Sequence, residues 1–135
     1  HAMKELARFF PDASGAWTAG AVLPGGDMAD ADFDLYLSRL MTSRPALPPK
    51  LLRRLARAYG TRTDDLLGAA QNVRDLGTAF GGDLYQAEVD YLVAREWART
   101  SEDVLFRRSK LGLHVPAGTA EALDAYLARV VPVAA

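Results

Sequence analysis

The stretch Gly81–Pro116, GGDLYQAEVDYLVAREWARTSEDVLFRRSKLGLHVP, decides the fold because it predicts two consecutive helices with a tight break between them. The first helix is expected from about Leu84 to Ala98. Its apolar residues cover nearly every direction of a helical wheel, which is typical of a helix that other helices surround. Thr100 and Asp103 predict a capped start for a second helix of about ten residues, 101–110. Gly112 is expected just beyond its end.

Two charges in this stretch fall on faces that are otherwise apolar. Glu96 lies on the buried side of the first predicted helix, and Arg108 lies between the inward residues of the second. A buried charge needs a partner of opposite sign and hydrogen bonds. We therefore expect Glu96 and Arg108 to form an ion pair across the break. The pair would either fix the corner structurally or hold the arginine ready for an anionic ligand or a partner domain.

Length and composition limit the possible classes of function. The chain has 135 residues, no cysteine, two histidines and a net charge of −1. This length favours one domain, and the lack of cysteine excludes disulfides, thiolate nucleophiles and cysteine-ligated zinc. The near-neutral charge gives no sign of nucleic-acid binding by the surface as a whole. No run approaches the length of a membrane span and no signal peptide is visible, so we expect a cytoplasmic protein.

Periodicity along the rest of the chain predicts an all-α fold, a single compact domain of about six or seven helices around the buried central helix. His1-Ala2-Met3 resembles a cloning scar, which leaves residues 4–135 as the helical domain. Trp17, Val22 and Leu23 predict that the long loop before the second helix is anchored by packing. No strand of convincing length is expected. Further helices are expected at about 4–10, 32–41, 50–59, 63–67, 73–80 and 119–130.

The segment 39–62 contains seven basic residues and no acid. Such a run is either a solvated helix face or a surface that meets phosphates or an anionic membrane. We assign Arg53 and Arg57 of this face, together with Arg107 and Lys110, to a candidate docking surface.

A different class of function is suggested by 51–67, LLRRLARAYGTRTDDLL, which resembles the helix-turn-helix core of small bacterial repressors. A DNA reader carries polar and basic residues at the start of its second helix. Here Asp64 and Asp65 stand there and would face phosphates. DNA binding or regulation is therefore kept only as the alternative function, and no nucleic-acid partner is expected.

The sequence offers no enzyme site of its own. No serine has a histidine at a suggestive spacing, and His114 is a lone histidine beside a proline. The paired carboxylates at 64–65 and 102–103 begin predicted helices, where capping explains them. We assign no catalytic, cofactor-binding or metal-binding residue.

Several motifs nevertheless carry a family pattern. The segments EVDYLV (88–93), EWART (96–100), EDVL (102–105) and RRSKLGL (107–113) resemble the C-terminal domain of FAD-dependent glycerol-3-phosphate dehydrogenase, the aerobic respiratory enzyme, and of the related glycerophosphate oxidases. Upstream, the same order continues in WT (17–18), LPGGD (23–27) and RLARAYG (54–60). The resemblance covers roughly residues 4–127. Ser109 and Phe106 depart from it, where the family often has threonine and tryptophan.

The resemblance implies a parent enzyme that oxidises sn-glycerol 3-phosphate to dihydroxyacetone phosphate, reduces FAD and passes electrons to a membrane quinone. Its FAD- and substrate-binding parts would precede this chain, in which no GxGxxG motif follows a strand. The chain would then be a helical cap that binds no cofactor and is inactive alone. Its partner would be the N-terminal FAD/substrate domain, with the membrane surface or another subunit as further partners. The parent would be peripheral on the cytoplasmic face of the inner membrane.

Overall fold

The structure, a computed structural model, describes residues 2–12 and 14–131. Within this part the chain is mostly helical, which confirms the predicted all-α class, and a small hairpin is added. The α-helices are α1 (Ala2–Leu6), α2 (Phe33–Ser43), α3 (Pro49–Tyr59), α4 (Thr63–Leu67), α5 (Gln86–Glu96) and α6 (Thr119–Val130). A π-helix spans Asp103–Arg108, and two short antiparallel strands, β1 (Ala79–Gly81) and β2 (Leu84–Tyr85), pair with each other.

Local signals explain where α2 begins and where α3 begins and ends. The Asp32 carboxylate accepts a hydrogen bond from the backbone N–H of Leu35 at 2.9 Å, which caps α2. Pro49 occupies the first turn of α3, where its missing N–H costs nothing. Gly60 ends α3 with a positive φ of 57°. A 3-10 turn, Gly60–Arg62, then leads directly into α4.

The hairpin corrects the prediction of a helix at 73–80. Its strands have only three and two residues, which agrees with the expectation that no strand of convincing length forms. Only Val73–Leu76 forms a helical turn, of the 3-10 type, and a capping box between Asn72 and Asp75 opens it. Gly77, Gly81 and Gly82 then take positive φ values, which a right-handed helix does not allow. Phe80 therefore lies in a strand that pairs with the residues just before α5.

Helix α5 is shorter than predicted and is not buried on all sides. Val89 and Leu92 are completely buried, whereas Trp97 is 77 % exposed and lies beyond the end of the helix. The helix therefore packs one face on the core and leaves the other in solvent. The last helix is as predicted: it begins at Thr119 after Gly118.

A single hydrophobic core joins the helices from α2 to α6, and its most buried members come from α3, the hairpin, α5, the π-helix and α6. Among them are Leu51, Leu52, Leu84, Val89, Leu92, Val104 and Leu123. This core is continuous across the domain, so the chain has the apolar packing that independent folding requires.

The N-terminal segment does not join the core, and the prediction that packing anchors Trp17, Val22 and Leu23 is wrong. Trp17 is 66 % exposed, and the other two are also exposed. Of the proposed cloning scar, Ala2 and Met3 belong to α1. His1 and residues 132–135, which close the predicted domain, lie outside the described residues.

Candidate functional site

The most buried charged group among the described residues is Glu88 in α5, and two side chains hold it. Arg54 of α3 forms two parallel bonds with it: Nη1 lies 2.9 Å from Oε1, and Nη2 lies 2.6 Å from Oε2. The Tyr59 hydroxyl donates to Oε1 at 2.7 Å. Arg54 Nη2 also donates to the Asp83 carbonyl at 2.7 Å. The cluster thus ties α3 to α5 and to the hairpin turn.

Charge and burial set the protonation of this cluster. The Glu88 side chain is only 3 % exposed. Burial and the adjacent Glu88 carboxylate raise the pKa of the Tyr59 phenol far above its ordinary value. The phenol therefore stays protonated and remains a hydrogen-bond donor to Glu88. Both Glu88 oxygens and both terminal nitrogens of Arg54 are bonded within the fold, while the buried Arg54 Nε has no partner among the described residues. These internal bonds give the cluster a structural role.

Sequence reasoning missed Glu88, although a signal was present. Glu88 shares a face of α5 with Tyr91 and Leu92, both of which are buried. An acid within such a stripe requires a cation, and the sequence alone did not specify that Arg54, 34 positions earlier, supplies it.

The structure does not form the predicted ion pair between Glu96 and Arg108. The ion pairs within residues 2–12 and 14–131 are Arg44–Asp64, Lys50–Asp83, Arg54–Glu88, Arg107–Glu102 and Arg107–Asp103. Arg108 is exposed because it lies in the π-helix, where residues five apart, and not four, are bonded. Ser109 accordingly donates its backbone N–H to the Val104 carbonyl at 3.0 Å. Arg108 is thereby displaced from the inward face that α-helical spacing had given it.

The predicted cap at the break is confirmed. Asp103 Oδ2 accepts hydrogen bonds from the backbone N–H groups of Arg99 at 3.0 Å and Thr100 at 3.1 Å, and Thr100 Oγ1 accepts from the Asp103 N–H at 3.2 Å. These backbone bonds, led by that from Arg99, and the Arg107 guanidinium lower the pKa of Asp103 to about 2. The predicted end at Gly112 is wrong, because Lys110 takes the left-handed conformation (φ 61°) before it.

Trp97 is the least expected side chain at this corner. It adopts a left-handed backbone conformation (φ 57°) at the end of α5, where glycine is usual. Ala98 then donates its N–H to the Leu92 carbonyl at 3.1 Å, which closes the turn. A bulky residue in this conformation is strained, and the exposed ring gains little packing in return.

A groove of about 760 Å³ opens between the 24–28 loop, the C-terminal end of α3 and the end of α5. Met28, Phe33 and Tyr91 contribute apolar lining. The charged lining residues are Arg57, Arg62, Arg95 and Glu96.

Two glycines hold the groove together by a close backbone contact. The Thr61 N–H donates to the Gly25 carbonyl at 3.0 Å. A Cβ atom on Gly60 would lie 1.9 Å from that same oxygen, so no other residue fits at position 60 without a shift. The LPGGD loop and the end of α3 are thus fixed against each other.

The candidate docking residues do not form one cluster by their contacts. Arg53 and Arg57 are exposed on α3 and line a shallow surface depression with Lys50. Arg107 is paired with Glu102 and Asp103 in the π-helix. Lys110 is exposed just after that helix.

Nothing in the described residues favours the DNA-binding alternative. Helix α4 has only five residues, which is short for a recognition helix. At its start Asp64 accepts a hydrogen bond from Arg44 Nη1 at 3.1 Å and is held within the fold.

Residues 2–12 and 14–131 also lack the features of a metal centre and of a membrane span. No group of three or more His, Cys, Asp or Glu side chains is placed there to hold a metal ion. No helix in this described part combines the length and the hydropathy needed to cross a bilayer.

Comparison with known proteins assigns the family. Residues 16–133 match the family described as the C-terminal domain of alpha-glycerophosphate oxidase. The chain is 48 % identical over 84 % of its length to D-erythritol 1-phosphate dehydrogenase of Brucella abortus, covering 22 % of that protein. It is 43 % identical over 84 % of its length to aerobic glycerol-3-phosphate dehydrogenase of Escherichia coli, also covering 22 % of it.

A third relative, glycerol-3-phosphate dehydrogenase of Pseudomonas aeruginosa, is 42 % identical over 93 % of the chain, and the match covers 24 % of that protein. The chain thus spans about a quarter of the length of these relatives. The motifs around the α5 corner and the Gly25–Gly60 contact lie within the matched region. The protein described here therefore belongs to the family of C-terminal domains of alpha-glycerophosphate oxidase.

Proposed function

We propose that the chain is the C-terminal cap of an FAD-dependent enzyme that oxidises sn-glycerol 3-phosphate to dihydroxyacetone phosphate and passes electrons to a membrane quinone. The family match over residues 16–133 carries this proposal, and the glycerol-3-phosphate dehydrogenases among the relatives support it. FAD and substrate would bind in the N-terminal FAD/substrate domain of the parent. This chain contributes structure and docking and has no catalytic activity alone.

The test compares the 135-residue chain with the full-length parent, both purified under the same conditions. The parent is expected to be yellow, with flavin absorbance, and to reduce a quinone analogue when sn-glycerol 3-phosphate is added. The chain alone is expected to be colourless and inactive. Stoichiometric flavin in the isolated chain, or a parent without flavin, would refute the proposal.

D-Erythritol 1-phosphate is the second candidate substrate, because identity to the Brucella protein, 48 %, exceeds that to the Escherichia protein, 43 %. Steady-state kinetics of the parent on both phosphates decide between them. A kcat/KM for erythritol 1-phosphate at least about tenfold higher than for glycerol 3-phosphate, equivalent to about 1.4 kcal/mol, would select the second candidate.

The docking role is proposed for the basic residues Arg53, Arg57, Arg107 and Lys110. Arg53, Arg57 and Lys110 are exposed and have no acid partner within residues 2–12 and 14–131, so their charges remain available to a partner. The partner is the N-terminal domain of the parent, with the cytoplasmic face of the inner membrane or another subunit as further candidates.

Charge reversal in the parent tests this docking role. Arg53→Glu with Lys110→Glu is expected to lower domain association, measured by thermal stability, or membrane recovery in sedimentation. Arg74→Glu, on an exposed 3-10 turn, is the matched control. Unchanged stability, sedimentation and activity in the double variant would exclude the role.

A further inference from the structure

The groove between α3 and α5 contains an uncompensated positive charge. Its charged lining residues are three arginines, Arg57, Arg62 and Arg95, and one acid, Glu96. The net formal charge of the lining is therefore +3 − 1 = +2. None of the three arginines forms an ion pair within residues 2–12 and 14–131. Elsewhere in this part, Arg44, Arg54 and Arg107 all meet carboxylates.

The walls that carry these arginines are fixed before any ligand arrives. Arg62 follows the Gly25–Gly60 contact by two residues, and Thr61 between them is bonded to Gly25. Arg57 lies in the last turn of α3, and Arg95 in the last turn of α5. Tyr59 and Tyr91 pack edge to face, with ring centroids 5.4 Å apart, where the two helices meet at the groove. Because its parts are held in this way, the groove needs little rearrangement to bind.

We propose that this groove binds a small phosphate ester. A phosphomonoester carries a charge of about −1.5 to −2 at pH 7, which matches the excess charge of the lining. The planar guanidinium group donates paired hydrogen bonds that fit phosphate oxygens. Met28, Phe33 and Tyr91 give the lining an apolar part that can cover the carbon skeleton of the ester. This assignment comes from the groove alone and does not rest on the function proposed for the parent.

The first experiment titrates the ¹⁵N-labelled 135-residue chain with inorganic phosphate, with ionic strength kept constant by chloride. Saturable shifts are expected at the backbone amides of Gly25 and Gly60 and at the side-chain Nε–H groups of Arg57, Arg62 and Arg95. Glycerol 3-phosphate is then titrated in the same way and is expected to bind more tightly than inorganic phosphate. Its apolar contacts would add shifts at Met28 and Phe33.

Matched variants locate the site. Arg62→Gln and Arg95→Gln each remove a charge-assisted contact and are expected to weaken phosphate binding about tenfold. Arg74→Gln removes the same charge outside the groove and is expected to change nothing. Circular dichroism and melting temperature establish that every variant is folded. Arg57→Lys keeps the positive charge but loses the paired N–H donors of the guanidinium group. This variant is expected to retain only part of the affinity for phosphate.

A phosphate monoester can come from a free small molecule or from a lipid headgroup. Sedimentation with vesicles of phosphatidic acid in phosphatidylcholine, compared with phosphatidylcholine alone, separates the two. Binding of free phosphate that is lost in Arg62→Gln supports the proposal, whether or not phosphatidic acid vesicles also bind. Binding of phosphatidic acid vesicles alone would overturn it in favour of a lipid headgroup. Shifts that spread over all arginines without saturation, or equal weakening by Arg74→Gln, would overturn the proposal, as would no binding in either arm.

Discussion

Arg54 and Glu88 show how one side chain can hold several parts of the domain at once. The guanidinium contacts the Glu88 carboxylate through both terminal nitrogens and the Asp83 carbonyl through one of them. Such a buried pair adds little stability over a well-packed apolar pair, but loss of one partner leaves an unpaired charge in the core. The effect of a substitution therefore depends on which partner remains.

Glu88→Gln is expected to lower the free energy of unfolding by about 3 kcal/mol, because it leaves the Arg54 charge buried without an anion. Urea denaturation of the isolated chain measures this. Glu102→Gln is the control: its pair with Arg107 is exposed, and a change within about 0.5 kcal/mol is expected. Arg54→Met combined with Glu88→Leu should recover most of the stability lost in Glu88→Gln. A Glu88→Gln variant as stable as the unmodified 135-residue chain would contradict the structural role of the cluster.

Gly60→Ala is expected to destabilise the chain by at least about 2 kcal/mol, because its methyl group would overlap the Gly25 carbonyl oxygen. Gly68→Ala provides a matched control. Gly68 has a similar backbone conformation (φ 50°, ψ −125°, against φ 57°, ψ −137°), but nothing lies within 4 Å of its Cβ position. The difference in unfolding free energy between the two variants measures the close contact itself. Equal losses would show that backbone strain alone accounts for the effect.

At the scale of elements, helix starts were predicted well because local chemistry determines them. The Thr100–Asp103 box was assigned from sequence and forms as expected, and α2 and α3 begin close to their predicted starts, beside the Asp32 cap and at Pro49. Their hydrogen bonds join residues three or four apart, so the required information lies within one turn. The same reasoning explains the correct placement of α6 after Gly118.

The elements that sequence did not predict depend on contacts outside one turn. The hairpin forms because three glycines leave the helical region and the Gln86 N–H then reaches the Thr78 carbonyl at 2.8 Å. The π-helix depends on Ser109, whose backbone and hydroxyl both bond to the Val104 carbonyl. An α-helical wheel cannot represent that spacing, and for this reason it placed Arg108 inward. The candidate groove also escaped prediction, since its arginines come from two helices and a turn.

The cap at the start of the π-helix should make stability depend on acid pH. The pKa of Asp103 falls from its ordinary 3.8 to about 2 in the folded chain. A lowered pKa means that the stabilisation is present above about pH 4 and is lost as the pH falls toward 2. Asp103→Asn is expected to cost about 1 kcal/mol at pH 7 and to flatten this part of the pH profile.

The control for this prediction is Asp12→Asn, an exposed acid with no hydrogen bond among the described residues. Urea denaturation at a series of pH values from neutral to acid provides the measurement for both variants. A profile of Asp103→Asn as steep as that of the unmodified chain would mean that other carboxylates, such as Asp75 in its own capping box, dominate the acid response.

At the scale of the whole molecule, several large apolar side chains of the described residues are exposed to solvent. They include Trp97, Phe106 and Leu113 near the α5 corner and much of the N-terminal segment. Large exposed side chains of this kind mark interaction surfaces when they are grouped. The relatives are about four times longer than this chain, so the N-terminal domain of the proposed parent would be the partner for these side chains.

Trp97→Gly should act in opposite directions in the isolated chain and in the full-length parent. In the isolated chain glycine relieves the left-handed backbone, so a gain of about 0.5–1 kcal/mol is expected. In the parent the lost indole contact should outweigh that gain and lower the melting temperature. Melting curves of both proteins give the comparison, and Leu35→Ala, an exposed position on α2, serves as control. A gain in both settings would show that the ring has no partner in the parent.

The Arg54–Glu88 contact also constrains how the domain forms during synthesis. Glu88 follows Arg54 by 34 positions, so at 5–20 residues per second a nascent chain carries the arginine for about 2–7 s before its acid emerges. During that interval α3 can dock on α2, but the Arg54 guanidinium has no carboxylate to pair with. We therefore expect the contact of α3 with α5 and the hairpin turn to wait, and the apolar face of α3 to stay open to solvent, until α5 leaves the ribosome. Translation pauses placed between these two codons would lengthen the exposure of this apolar face to chaperones and proteases.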